Sequence, residues 1–129
     1  MEMARVVVLD DDASVADLLK ALVEESGHTT IAARDLAQVP ADTQADLVVS
    51  DLLPLKAYRR DAALAWVQQL RDRFAAPVIL VTGHGGALAE PDRLGADEVV
   101  GKPFDVDALI EIVTGHLERR PAPHILKTP

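Results

Sequence analysis

Short apolar runs alternate along this chain with longer stretches whose apolar residues recur every three to four positions. Val6–Leu9 is a β-branched run that stops abruptly at Asp10-Asp11-Asp12. This reads as a buried strand followed by a turn. Val15, Leu18, Leu19, Leu22 and Val23 then fall on one helical stripe. Ser14 and Asp17 have capping-box spacing, and Gly27 sits where a helix C-cap belongs. Thr29–Ala32 predicts a second strand, and Asp35–Val39 the start of a helix that Pro40 stops early. Leu47–Ser50 predicts a third strand, ending at Asp51. Leu64, Val67, Leu70 and Phe74 mark a further helix, with Trp66 beside its stripe as a packing residue. Val78–Val81 predicts a fourth strand running into Thr82-Gly83, and Glu98–Val100 a fifth running into Gly101-Lys102-Pro103. A last helix carries Val106, Leu109, Ile110, Val113 and Leu117.

Strand–helix alternation implies right-handed crossovers and a parallel sheet covered on both faces. The strands agree, because they are continuous apolar runs rather than alternating ones. In such sheets ligands bind outside the carboxyl ends of the strands, near the topological switch point. The residues there are Asp10, Asp11 and Asp12, then Asp51, Thr82 and Lys102.

Composition narrows the picture further. The length of 129 residues suits one domain, taken as residues 1–119, with a three-proline tail at 120–129 expected to fray. The formal charge is 13 − 21 = −8, which disfavours coating of nucleic acid or an anionic membrane. The absence of cysteine excludes disulfides, thiolate metal sites and cysteine nucleophiles. No apolar run is long enough to span a bilayer, and no secretory signal is legible, so a cytoplasmic protein is expected.

Clustered carboxylates raise one another's pKa unless a cation is present, and Mg²⁺ is the usual remedy, with one or two protein carboxylates and open positions for phosphate oxygens. A carboxylate also serves as a nucleophile in aspartyl-phosphate chemistry. Lys102 brings a point charge and Thr82 a hydroxyl, and together these are the parts for moving a phosphoryl group onto a carboxylate. Each residue has a plainer reading. Asp12 is better taken as a helix cap than as a ligand. Asp10 and Asp11 would serve as caps, Asp51 as a turn residue, Thr82 as an ordinary strand residue and Lys102 as a solvated lysine. His84 reads as a loop histidine, His28, His116 and His124 as surface residues, and Lys56, Arg59 and Arg60 as a solvated basic loop or a partner-contacting lid.

The strings VVVLDDDASVADLL, LVVSD, PVILVTGHG and GADEVVGKPFD, in this order and each at a predicted strand end, resemble the receiver domain of two-component response regulators over about residues 4–118. The resemblance implies a flavodoxin-like, five-stranded parallel sheet of order 2-1-3-4-5 with helices on both faces. It implies that Asp51 accepts a phosphoryl group from a phosphohistidine on a sensor kinase or phosphotransfer protein. Asp10, Asp11, Asp51 and the backbone carbonyl of Leu53 would hold Mg²⁺, Lys102 would pair with the phosphate, and Thr82 would move toward it to bias a switch. It also implies a cis Lys102-Pro103 bond. Output would pass to a downstream partner or a fused domain, without direct nucleic acid or membrane binding, and a homodimer is left open. The only chemistry would be the domain's own phosphorylation and dephosphorylation.

Three departures from the family pattern modify these expectations. Pro54 comes three residues after Asp51 rather than four, so the loop Leu52–Arg60 is remodelled. Leu53 and His84 occupy positions that influence phosphate lifetime in the family, and a leucine cannot orient an attacking water, so altered autodephosphorylation is expected. Val99 stands where the family carries an aromatic, which removes the ring that normally moves with the threonine. The segment after Thr82 is about two residues short and holds Gly85, Gly86 and Pro91, so its helix should be short. Two other readings stay in view. One is a phosphorylation-independent pseudo-receiver. The other is a small haloacid dehalogenase-like phosphatase using Asp10-x-Asp12, for which the chain has no cap and which leaves Asp51 unexplained.

Overall fold

The computed structural model describes residues 3–119; the expectations for the 120–129 tail and for His124 lie outside the described residues. Five strands, β1 (Arg5–Leu9), β2 (Thr29–Ala33), β3 (Leu47–Ser50), β4 (Val78–Thr82) and β5 (Glu98–Gly101), form one all-parallel sheet in the order β2-β1-β3-β4-β5. Four helices are α1 (Ala13–Glu25), α2 (Arg60–Phe74), α3 (Gly85–Ala89) and α4 (Val106–Glu118).

The continuous apolar strands are explained by two separate cores. Val6, Val8, Leu47, Val49, Ile79 and Val81 face α1 and α4, which contribute Ala16, Leu19, Val23, Leu109, Val113 and Leu117. The alternate positions Val7, Leu9, Val48, Val78 and Leu80 face Ala63, Trp66, Val67, Leu70 and Phe74 of α2, with Ala87 of α3. Period-two alternation thus sends successive side chains into different apolar layers, so no strand face needs polar residues.

Local chemistry accounts for the helix ends. Asp12 is the N-cap of α1, its Oδ1 accepting from Ser14 N–H and Val15 N–H, which replaces the expected Ser14–Asp17 capping box and bears out the cap reading of Asp12. Asp105 caps α4 in the same way. Gly27, at φ +93°, follows α1 in the left-handed region where a Cβ is costly.

Four local expectations are corrected; in α1 the buried residues are Ala16, Leu19 and Val23, and Leu18 of the expected stripe is exposed. The crossover from β2 to β3 holds only a 3₁₀ turn, Leu36–Gln38, because Pro40 leaves no room for a helix to propagate. The buried stripe of α2 runs through Ala63 and Trp66 rather than Leu64, which is 40% exposed. His28 is buried, not a surface residue, and its Nδ1 accepts the Ala4 N–H at 2.9 Å. The expected short helix after Thr82 is found: α3 has five residues and a second 3₁₀ turn, Pro91–Arg93, follows it.

Candidate phosphoryl-transfer site

Strand register assembles the site. Leu9 pairs with Ser50, so the next residues, Asp10 and Asp51, leave adjacent strands side by side. Asp51 N–H donates to Leu9 O at 2.9 Å. Thr82 pairs with Gly101, and Lys102 N–H donates to Thr82 O at 2.9 Å, which brings the lysine to the same edge. Lys102 Nζ then reaches back across the sheet end to Asp10 Oδ2 at 2.8 Å and Asp51 Oδ2 at 2.9 Å. The Lys102-Pro103 peptide is cis.

Each acid sits differently. Asp10 is 2% exposed, and its Oδ1 accepts the Asp12 N–H. Burial pushes its carboxyl upward, more than the Lys102 ammonium and the Asp12 N–H pull it down. Burial pulls the Lys102 ammonium down, but the hydrogen bonds to Asp10 and Asp51 outweigh it and the net shift is upward. Asp51 is partly buried, with Oδ1 accepting the Leu52 N–H at 2.7 Å. Asp11 is exposed.

One carboxylate oxygen from each of Asp10, Asp11 and Asp51 lies within 4.8 Å of the others. Three carboxylates against one ammonium leave two negative charges, the charge balance of one divalent cation. All-oxygen donors beside an open edge suit Mg²⁺ rather than a soft metal. The residues present therefore fit the ion that the sequence led us to expect.

The remaining expected residues surround this group. Thr82 is fully buried, and its Oγ1 accepts the His84 N–H at 3.1 Å. His84 is the N-cap residue of α3. Leu53 is half-buried with its side chain against the core, and Val99, paired with Leu80, packs there too. His116 is half-buried, with Nε2 3.4 Å from Glu98 Oε2.

Two arrangements had escaped the sequence reading. Trp66 is more than packing, since its indole N–H points at Ser50 Oγ and Asp51 O. Within the basic loop Lys56 and Arg59 are exposed, as the solvated reading expects, but Arg60 is not simply solvated. Tyr58 donates to Glu90 Oε2, and Arg60 grips both Glu90 oxygens at 2.9 and 2.7 Å. The Tyr58 ring lies over Gly86, where any Cβ would collide with it. Partners 15 to 32 residues apart in sequence gave no periodic signal by which to find them.

This latch has a pH signature. The Arg60 guanidinium beside Glu90, with the Tyr58 hydroxyl, holds that carboxyl down to about 2, while burial and Glu90 push the Tyr58 phenol up to about 12. A depressed carboxylate favours the latched form above its ordinary pKa, and that contribution disappears as pH falls toward the lowered value. The ring resonances of Tyr58, the single tyrosine, should therefore move between about pH 4.5 and 2, and Glu90→Gln should abolish that movement. A pH-independent ring signal in the parent protein would show that Glu90 does not hold the loop.

No protein-family model matches the chain. It is 32% identical over 124 residues to the transcriptional regulatory protein CpxR of Klebsiella pneumoniae, covering 91% of this chain and 50% of that protein. It is 36% identical over 127 residues to the transcriptional regulatory protein FixJ of Azorhizobium caulinodans, covering 92% and 57%. The chain thus spans about half the length of the curated relatives it matches. Among solved structures, the signal receiver domain of a putative LuxO repressor protein from Vibrio parahaemolyticus superposes with TM-score 0.70 at 28% identity, covering 92% of both chains. NtrX from Brucella abortus superposes with TM-score 0.72 at 30% identity, covering 91% of this chain and 27% of that one. Among the described residues, no helix is long and apolar enough to cross a membrane.

Proposed function

The chain is a response regulator receiver domain, and on that premise we propose that it is a phosphorylatable switch whose acceptor is Asp51. The observation that carries the reading is the bridge of Lys102 to both Asp10 and Asp51, with Asp11 alongside. A lysine shared between two carboxylates holds an ammonium beside the acceptor, ready for a phosphate oxygen.

In this reading a carboxylate oxygen of Asp51 attacks phosphorus as the P–N bond of a donor phosphohistidine breaks. The electron pair leaves on the imidazole nitrogen. Asp10, Asp11, Asp51 and the Leu53 carbonyl would hold Mg²⁺, and the ion would supply positive charge to offset that of the phosphoryl oxygens. Lys102 exchanges its contact with Asp51 for one with the new phosphate. Thr82 already accepts the His84 N–H, so its own hydroxyl proton remains to be donated to a phosphate oxygen. That donation links phosphate occupancy to the start of α3, a two-state bias of the kind ligand switches use. With Val99 in place of an aromatic, the bias involves no ring swinging from β5. The donor is a sensor histidine kinase or phosphotransfer protein, and the output a protein partner or a domain fused to this one. The domain acts on no substrate besides its own aspartate.

Leu53 carries no group to orient an attacking water, so hydrolysis of the acyl phosphate is slow. Leu53→Asn should shorten the half-life of the phosphorylated protein, by about tenfold if it removes about 1.4 kcal/mol from the barrier; an unchanged half-life would show that position 53 does not govern it. Asp12 is committed to capping α1, which weighs against the haloacid dehalogenase-like alternative. The complete acid–lysine set weighs against a pseudo-receiver.

Beryllofluoride with Mg²⁺, a mimic of the phosphoryl group, tests the reading. It should shift the amide resonances of Asp51, Thr82, His84 and Lys102 together. No shift in its presence would favour the phosphorylation-independent module.

A further inference from the structure

We propose that Trp66 is a positioning residue for the acceptor, acting through the single peptide plane that joins Asp51 to Leu52. The inference rests on the reading of Asp51 as the phosphorylated residue.

The indole Nε1–H of Trp66, on the buried face of α2, lies 3.0 Å from Ser50 Oγ and 3.1 Å from Asp51 O. The Ser50 hydroxyl donates to that same Asp51 carbonyl. The carbonyl of the acceptor residue thus receives two donors, one from α2 and one from the end of β3. Asp51 C=O and Leu52 N–H belong to one planar amide. Fixing the carbonyl therefore fixes the direction of the N–H on the other side of the plane, and that N–H donates to Asp51 Oδ1 at 2.7 Å. The other carboxylate oxygen is held by Lys102 at 2.9 Å. The nucleophilic carboxylate is thereby clamped at both oxygens, on one side by the lysine and on the other by a peptide that Trp66 and Ser50 hold in place.

A buried indole needs some acceptor, and a merely structural tryptophan would be satisfied by Ser50 Oγ alone. Reaching the acceptor's own carbonyl matters because β3 ends at Ser50, so sheet pairing no longer sets the plane of the next peptide. Transfer to a carboxylate depends on holding the attacking oxygen in line with phosphorus. Freed from its anchor, the Asp51–Leu52 plane can rotate and withdraw its N–H from Oδ1.

The test uses a small phosphodonor, Mg²⁺ and the chain as it stands. Trp66→Phe keeps an aromatic ring in the core and removes only the N–H. Its phosphorylation rate should fall by about tenfold, the lower end of what removal of a group orienting a site ligand costs, with cooperative thermal unfolding retained. Ser50→Ala should slow the reaction too, and the double variant should depart from the product of the two single effects, because both donors act on one carbonyl. The chain has one tryptophan, so its indole N–H gives a single resonance. That resonance should shift on addition of beryllofluoride and Mg²⁺, and stay fixed in Asp51→Asn. If Trp66→Phe fails to fold, this shift in the unaltered protein decides the matter. An adduct in the parent, a Trp66→Phe rate within twofold of it and an unmoved indole signal would overturn the positioning role and leave the acceptor reading intact. A parent protein that acquires no adduct would overturn both.

Discussion

Replacing Lys102 with alanine should slow phosphoryl uptake by about 100-fold or more and, at the same time, increase the stabilisation that the folded domain gains from Mg²⁺. The first effect follows from the loss of a preorganised positive charge where phosphate charge develops, worth about 3–4 kcal/mol in comparable sites. The second follows from what the lysine leaves behind. Asp10 is 2% exposed and loses its one cationic partner within salt-bridge distance among the described residues, and Asp51 loses the same one. Removing one member of a buried ion pair costs about 3–5 kcal/mol when nothing replaces it; Lys102 is itself 20% exposed, so the loss here should fall below that range. A divalent cation supplies the missing charge, and any ligand that binds only the folded state stabilises it by mass action. Thermal unfolding with and without Mg²⁺ should show a larger shift for Lys102→Ala than for the parent. An equal or smaller shift would mean that the three carboxylates do not share one cation site.

The second large effect is on stability. Leu70 is fully buried at the centre of the α2 contact with the sheet, packed with Val67, Phe74, Val48 and Leu80. Leu70→Ala should cost about 2–5 kcal/mol, through lost transfer free energy and a cavity that a helix pinned at both ends cannot collapse. That is a large share of a typical domain's total of about 5–15 kcal/mol. Leu64→Ala, six residues earlier on the same helix, should cost less than about 1 kcal/mol because Leu64 is 40% exposed. Urea unfolding of the two variants separates these outcomes, and equal losses would show that the α2 stripe is misplaced by a residue.

That pair of leucines also shows where the sequence could be read and where it could not. The strands were legible because residues buried on both sides must be apolar throughout, and their parallel arrangement followed from strand–helix alternation, whereas the order 2-1-3-4-5 came only from the family resemblance. The site was legible because the acids, the threonine and the lysine each close an apolar run, and parallel topology brings all such ends to one edge. The α2 stripe was half legible. Its period was right, but Leu64 suggests burial more strongly than Ala63, and only packing reveals that the fully buried Ala63 is the inward residue. His28 looked like a surface residue because its partner is a backbone N–H of Ala4, which any sequence offers. The latch of Tyr58 and Arg60 on Glu90 and the bond from Trp66 to Asp51 join loops and helices across the tertiary fold, and no local spacing encodes them.

The most direct measurement of the central claim is the intact mass of the protein after incubation with a small phosphodonor and Mg²⁺. The account predicts a single phosphoryl increment in the parent chain, absent in Asp51→Asn and absent when Mg²⁺ is chelated. An increment that persists in Asp51→Asn, or a parent chain that gains none, would contradict it.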